Sequence, residues 1–266
     1  MTARGLFVAP FDALADPTVL ADLAAEAEYA GWDGLFVWDH LLYSPPVQAI
    51  ADPWICCAAI AVRTTRLRLG PMVTPLSRRR PHVLARQAVT LDRLSSGRLV
   101  LGFGLGDDGE VGELSRFDEE TEPRVRGARL DEGLDLLRDL LSGTRVQHVG
   151  GHFAARGVRF RPDRAGRHPV LDRRAVAECG AVAPGRPLRG AFVISLPGPD
   201  GLGQVRDAVA AVRAGGLDGF DVVVELPPGE SAGPWAEAGA TWLLTRVDPY
   251  DIDLAEARRV VRAGPY

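Results

Sequence analysis

Short apolar runs rich in β-branched and aromatic residues alternate with helix-forming stretches along most of this chain. The first four runs are "GLFVA" (Gly5 to Ala9), "GLFVW" (Gly34 to Trp38), "LRLGPMV" (Leu67 to Val73) and "RLVLGFG" (Arg98 to Gly104). Each is followed by a helical pattern. Two of these helices begin on an Asp-Pro pair, Asp16-Pro17 and Asp52-Pro53. The Asp is a capping carboxylate, and the Pro has a fixed φ and a missing N–H that suit the first helical position. Gly31 stops the first helix, and "PHVLARQAVTLDRLSSG" forms the third. Strands joined through a helix pair in parallel, so the alternation restricts the chain to a parallel α/β fold.

The fourth run leads through an acidic loop (106–125) into "PRVRGARLDEGLDLLRDLLSG", a helix with Leu130, Leu134, Leu137 and Leu141 on one face. "RVQHVGGHF" then reads as a β-hairpin insertion (144–154) turning on Gly150 and Gly151. After residue 190 the rhythm returns with "AFVISL", "FDVVVEL" and "TWLLT", each with a helical partner. Four strands precede the segment 168–190 and three follow it, with no dinucleotide fingerprint after the first. The expectation is a single-domain (β/α)8 TIM barrel over residues 1–266, which needs eight strands to close. The fifth strand is aberrant or missing, because its place is taken by "HPVLDRRAVAECGAVAPGRPLRG" (His168 to Gly190), which has neither period.

Composition narrows the partners. A net charge of -4 and a pI near 5.8 give no broad basic surface, so nucleic acid is excluded and a small-molecule substrate is expected. The longest apolar run, "WICCAAIAV", is too short to cross a bilayer, and the N-terminus carries no basic segment followed by an apolar one. No membrane association and a cytoplasmic location are expected. Cys56 and Cys57 read as buried small residues, and there is no CxxC pair. All 31 basic residues are arginine and asparagine is absent, which points to a gene of high G+C content.

In a barrel of this kind the chemistry sits at the carboxyl ends of the strands. There Asp39 and His40 offer a carboxylate beside an imidazole, a pair suited to proton transfer, with a helix-capping Asp and a solvated His as the plain alternative. Gly102, Gly104 and Gly106 would let a flat ring approach the backbone. A phosphate cradle is rejected, because the glycines open no amphipathic helix and Asp107, Asp108 and Glu110 would repel an anion. "DDGEVGE" lacks the ligand spacing of a calcium loop. A two-residue Gly-Gly turn would pair His152 with Val149 and His148 with Phe153, so these imidazoles face apart and no metal site is expected. "RRR" (Arg78 to Arg80) reads as a solvated loop, with contact to an acidic cofactor tail as the lesser alternative, and His82 and His168 read as surface residues.

Four segments carry a family resemblance: "AGWDGLFVWDHLLY", "RLRLGPMVTPLSRRRPHVLARQAVTLDRLSSGRLVLGFGLG", "RFDEETEPRVRGARLDEGLDLL" and "EAGATWLL". On these the chain resembles the luciferase-like monooxygenase family, bacterial (β/α)8 oxidoreductases that use a flavin such as FMN or the deazaflavin F420. The resemblance implies hydride transfer or monooxygenation on a small organic substrate. It also implies that Asp39 and His40 lie beside the reactive ring, with His40 moving the proton. Met72 and Val73 match the family's non-prolyl cis peptide behind the ring, with Thr74 after it. Leu105, Gly106 and Asp107 match the segment along the ring edge, Asp107 standing where some F420 enzymes carry a glutamate acid. A homodimer is also implied.

One part of the pattern is broken. The fifth strand of relatives reads much like Pro-Val-Trp-Ile-Gly-Gly-Arg-Trp-Pro, and its glycines help hold the cofactor phosphate; here Pro169 and Val170 run into "LDRRAVAEC". In a G+C-rich gene, codons chosen for Leu171 to Cys179 read, one base out of frame, as Trp-Ile-Gly-Gly-Arg-Trp-Pro-Asn. The expectation is a compensated frameshift over about residues 171–189, with ordinary divergence as the alternative. Two other readings of function stay open: a degenerate barrel that no longer binds cofactor, and a cofactor-free hydrolase built on Asp39/His40 and Asp107/Asp108.

Overall fold

In the computed structural model, which describes residues 2–161, 175–178, 190–193, 196, 198–212, 219–250 and 252–265, the apolar runs are parallel strands and the stretches between them helices. In chain order they are β1 (Ala3–Val8), α1 (Pro17–Ala30), β2 (Gly34–Val37), α2 (Pro53–Arg63), β3 (Arg68–Pro71), β4 (Thr74–Pro75), α3 (Pro81–Leu94), β5 (Leu101–Gly104) and α4 (Pro123–Leu141). The hairpin β6 (Arg145–Val149) and β7 (Ala154–Arg159) follows, then β8 (Ala175–Glu178), β9 (Gly190–Val193), α5 (Pro199–Val212), β10 (Asp221–Leu226), α6 (Gly233–Glu237), β11 (Trp242–Arg246) and α7 (Leu254–Ala263). The expected caps form: Asp16 accepts from Thr18 N at 2.8 Å, Asp52 from Ile55 N at 2.9 Å, and Gly31 takes the left-handed conformation that ends α1.

The sheet runs β3-β2-β1-β11-β10-β9-β8-β5-β4. Its two ends meet, because Leu69 bridges Leu99 in parallel and Val100 N donates to Leu69 O at 2.8 Å. With β3 and β4 taken as halves of one interrupted strand, the nine strands fill the eight positions of a TIM barrel. Phe7, Phe36, Met72, Val100, Phe192, Val223 and Leu244 fill its interior. The alternate residues Leu6, Val8, Leu35, Val37 and Leu69 pack outward against Leu20, Leu23, Ile60 and Leu84 of the helices.

The fifth position is held by β8, drawn from the segment without a period. Leu101 pairs Ala175 on one side, and Val176 pairs Gly190 on the other. The aberrant strand is four residues long, and eleven residues, 179–189, separate it from β9. The rest of the stretch expected to be frameshifted, and His168 with it, lies outside the described residues.

Two side chains hold the outer layer in ways the sequence did not announce. Arg98 is buried, and its hydrogen bonds among the described residues go to carbonyls and a hydroxyl rather than to a carboxylate. Its Nε donates to Ser95 O, Nη1 to Thr64 Oγ1 and Leu67 O, and Nη2 to Ala61 O and Thr64 O, all within 2.7–3.0 Å. It thereby satisfies carbonyls left over at the ends of α2 and α3 and at the entry to β3. Glu28 on α1 receives the N–H groups of Thr65, Arg66 and Leu67 at 2.7–3.0 Å and so fixes the entry to β3.

The hairpin corrects the expected register. Val149 pairs Ala154 and His148 pairs Ala155, so the turn spans Gly150 to Phe153 rather than two glycines. The cause is Glu132 on α4, which accepts from His152 N at 2.9 Å and Phe153 N at 2.8 Å and meets His148 Nε2 at 3.0 Å. Burial raises the pKa of this carboxyl, but these bonds outweigh it and hold the group below its ordinary range.

Candidate active site

The site grows from the carboxyl ends of the second, third and fourth barrel strands. Where β2 stops, Trp38 N donates to Val8 O and Met72 N to Val37 O, which places Asp39 and His40 at the mouth. The third strand is broken by a cis peptide between Met72 and Val73, after which Thr74 and Pro75 pair with Phe103 and Gly104. The turn Leu76–Arg78 then swings two arginines over Asp39.

Arg78 Nη2 donates to Asp39 Oδ1 at 2.8 Å and to Asp39 O at 3.0 Å. Arg79 Nη2 lies 2.8 Å from both carboxylate oxygens. The Asp39 side chain is 0% exposed and that of Arg78 5%. The run "RRR" is therefore not a solvated loop. Only Arg80 is exposed, because a buried carboxylate lies opposite the other two, a fact no charge run can display.

The acidic loop supplies the next member. Asp108 accepts from Leu114 N at 2.7 Å and Ser115 N at 2.8 Å, while its carbonyl accepts from Glu113 N at 3.0 Å. The two side-chain bonds, that from Ser115 first, hold this carboxyl below its ordinary range. The turn so formed aims Glu113 inward. Its Oε2 lies 2.8 Å from His40 Nδ1, its Oε1 accepts from Leu41 N at 2.6 Å, and Arg78 Nη2 approaches Oε1 at 3.4 Å. A continuous chain results: Arg79, Asp39, Arg78, Glu113, His40.

The ring-edge segment is strapped to the third strand. Ser77 Oγ donates to Leu105 O at 2.7 Å, and the Arg126 guanidinium donates to Gly106 O. Gly106 has φ +70° and sits against Pro75, where a Cβ would approach to 2.9 Å. Gly102 serves a different purpose from the one expected. A Cβ there would stand 2.8 Å from Met72 Sδ and 3.1 Å from Pro71 O, so the missing side chain makes room for β3 and Met72, not for a flat ring. Asp107 is exposed; the acid that reaches His40 is Glu113, six residues on.

Aromatic rings wall the mouth. Phe7 meets Trp38 at 5.2 Å, tilted, and Phe192 edge-on at 5.1 Å; Phe11 lies tilted to Tyr43 at 4.9 Å, and Tyr43 meets His40 edge-on at 5.1 Å and Tyr250, tilted, at 5.6 Å. Burial, reinforced by Tyr250, pushes the Tyr43 hydroxyl pKa up. Within this wall the Trp38 indole N–H and the Thr74 hydroxyl are buried with no hydrogen-bond partner among the described residues. Buried donors of this kind are normally paired, with protein, water or a ligand. Elsewhere, Glu225 meets Arg246 at 3.3 Å, Thr245 is buried and His82 is exposed, while Ser195 lies outside the described residues. No group of metal-ligating side chains forms among the described residues, and no helix there is long and apolar enough to cross a membrane.

Sequence reasoning passed over Glu113 and Arg126 and took Arg78 and Arg79 for solvated residues. Glu113 is one acid among many in "DDGEVGELSRFDEE", and only its low exposure, 7% of the side chain, sets it apart.

The family profile described as luciferase-like monooxygenase matches residues 7–228. An F420-dependent glucose-6-phosphate dehydrogenase of Nakamurella multipartita is 36% identical over 141 residues, 52% of this chain and 40% of that protein. The protein of the same name from Kineococcus radiotolerans is 34% identical over 144 residues, 52% of this chain and 41% of that one. In these matches the chain spans about two fifths of the length of the curated relatives. Among solved structures, an F420-dependent secondary alcohol dehydrogenase in complex with an F420-acetone adduct superposes with a TM-score of 0.76 at 15% identity, covering 98% of this chain and 97% of that one. A monooxygenase from Streptomyces bottropensis gives 0.73 at 18% identity, covering 98% and 96%. At these identities the likeness establishes the fold. Taken with the profile match, it makes this chain a member of the luciferase-like monooxygenase family.

Proposed function

We propose that this protein is an oxidoreductase that works with F420 or FMN on a small organic substrate, by hydride transfer or, with FMN, by monooxygenation. The observation that carries the reading is the buried chain from Arg79 to His40, together with the Trp38 N–H and Thr74 hydroxyl, which are buried with no partner among the described residues. Those two donors suit the polar edge of a flavin-type ring, so the residues present fit the ring of either cofactor. When bound, the cofactor supplies the redox chemistry. Met72, Val73 and Thr74 on one side and Leu105, Gly106 and Asp107 on the other frame the ring. His40 takes or returns the proton. Asp39 spends both carboxylate oxygens on Arg78 and Arg79, so its part is to hold this rim of the site rather than to move a proton. The aromatic wall excludes water. F420 has the stronger support, since the curated relatives that match are named for it.

A cytoplasmic homodimer goes with this reading. Ile55 and Val62 on the outer face of α2, 63% and 70% exposed and two turns apart, support the pairing. The buried free thiols Cys56 and Cys57 suit a reducing compartment.

A second reading, a degenerate barrel without cofactor, is favoured by the fifth-strand sequence, where "LDRRAVAEC" follows Pro169 and Val170 in place of the family's glycine-rich turn. Titrating the purified protein with F420 and with FMN, followed by fluorescence, separates the two. Saturable binding of one cofactor supports the enzyme. No saturable change with either at high micromolar concentration leaves the degenerate barrel. The codons for residues 171–189 decide the origin of the segment: a family-like peptide in another frame identifies a compensated frameshift.

A further inference from the structure

We propose that Glu113 is a positioning residue that sets the tautomer of His40, keeping the ring proton on Nδ1 and leaving Nε2 as a bare acceptor. The catalytic consequence rests on the reading of His40 as the proton-transfer group; the tautomer itself does not.

A neutral imidazole carries one N–H, and its place is set by what each nitrogen faces. Here Nδ1 lies 2.8 Å from Glu113 Oε2, while Nε2 has no hydrogen-bond partner among the described residues. A carboxylate only accepts, so Nδ1 must donate. Glu113 cannot turn away to relax the demand. Its other oxygen is taken by Leu41 N at 2.6 Å and approached by Arg78 Nη2 at 3.4 Å, and its backbone N–H is tied to Asp108 O. The imidazole is gripped in turn by Tyr43 at 5.1 Å, Trp38 at 5.9 Å and Phe11 at 6.2 Å. His40 still keeps 32% of its side chain exposed, against 7% for Glu113, so the ring remains open to the mouth while its anchor is closed off.

Glu113→Gln distinguishes a tautomer-setting role from simple packing, because the amide has nearly the shape of the carboxylate but only one accepting atom. The Leu41 N–H can only donate, so the amide oxygen stays with it and the amide NH2 faces Nδ1. Nδ1 then has to accept, and the ring proton moves to Nε2.

Ring-nitrogen NMR of protein labelled with 15N-histidine reads this directly without cofactor. His40 is assigned among the five histidines by loss of its signals in His40→Gln, and spectra are taken at a pH high enough that they no longer move. The expected result is a protonated Nδ1 and a bare Nε2 in the wild type, exchanged in Glu113→Gln. A wild-type ring protonated on Nε2, or averaged between the two forms, overturns the inference. So does a folded Glu113→Gln protein whose pattern is unchanged. If that variant does not fold, the wild-type spectrum decides alone. With cofactor and substrate, the exchange should slow turnover on the order of 10²–10⁴-fold at unchanged cofactor affinity. A tautomer exchange without that loss leaves the role of Glu113 intact and removes His40 from the proposed mechanism.

Discussion

Arg79 grips both oxygens of Asp39 at 2.8 Å, and the carboxylate it holds has no solvent exposure. With Arg78 on the same group, two guanidinium charges and one carboxylate share the rim of the barrel. Removing the carboxylate takes from Arg79 its partner at 2.8 Å and leaves Arg78 only one carboxylate contact, the longer one to Glu113 at 3.4 Å. Asp39→Ala should lose about 3–5 kcal/mol of stability, read from urea midpoints, and Asp39→Asn should lose less. A loss under about 1 kcal/mol for the alanine variant would mean that the cluster is solvated.

Arg98 is the second stability determinant. Arg98→Met leaves the carbonyls of Ala61, Thr64, Leu67 and Ser95 without their donor and should cost about 3 kcal/mol or more. Arg98→Lys should recover only part of this, since one ammonium cannot reproduce the five-donor fork. Thermal unfolding of the three proteins provides the comparison.

Acid should reveal Glu28. Burial raises its pKa, but hydrogen bonds from Arg66, Leu67 and Thr65 outweigh it, so the group titrates below its ordinary 4.5. A carboxyl depressed on folding contributes stability above its unfolded value and loses it as pH falls through the folded one. Glu28→Gln should therefore be less stable by about 1–2 kcal/mol at pH 7. The difference should shrink as pH drops below about 4.5. A gap constant from pH 7 to pH 3 would rule this out.

Gly102→Ala should cost about 1–3 kcal/mol through overpacking, because the added methyl would stand 2.8 Å from Met72 Sδ and 3.1 Å from Val73 Cγ1. Combining it with Met72→Ala should recover some of that loss, while Pro71 O, also 3.1 Å away, keeps the rescue incomplete. Full additivity of the two substitutions in chemical denaturation would show that the contact does not matter.

What could be read in advance follows a physical line. Asp16-Pro17, Asp52-Pro53 and Gly31 act within one turn of themselves, so the helices and their limits were visible in the sequence. The periodic strands, ring order and barrel followed from the alternation. Long-range pairings were not visible. Nothing near Arg78 or Arg79 indicates Asp39, 39 and 40 residues away, and nothing in the acidic loop separates Glu113 from its neighbours. The hairpin register was misjudged for the same reason, since Glu132 on α4 sets the turn from outside the hairpin. The fifth strand was not legible because "AVAE" stands among arginine, alanine and glycine and lacks the β-branched and aromatic run that marks the other strands.

The central claim is that the mouth binds a cofactor ring through the Trp38 N–H and the Thr74 hydroxyl, which have no partner among the described residues. Thr74→Val tests it most directly by separating stability from binding. The Thr74 hydroxyl is buried without a partner among the described residues, so its removal should leave the unfolding midpoint unchanged or raise it. F420 or FMN affinity should fall by about tenfold, the value of one lost hydrogen bond near 1.4 kcal/mol. Equal affinity of the two proteins, or a wild type that binds neither cofactor, would contradict the account.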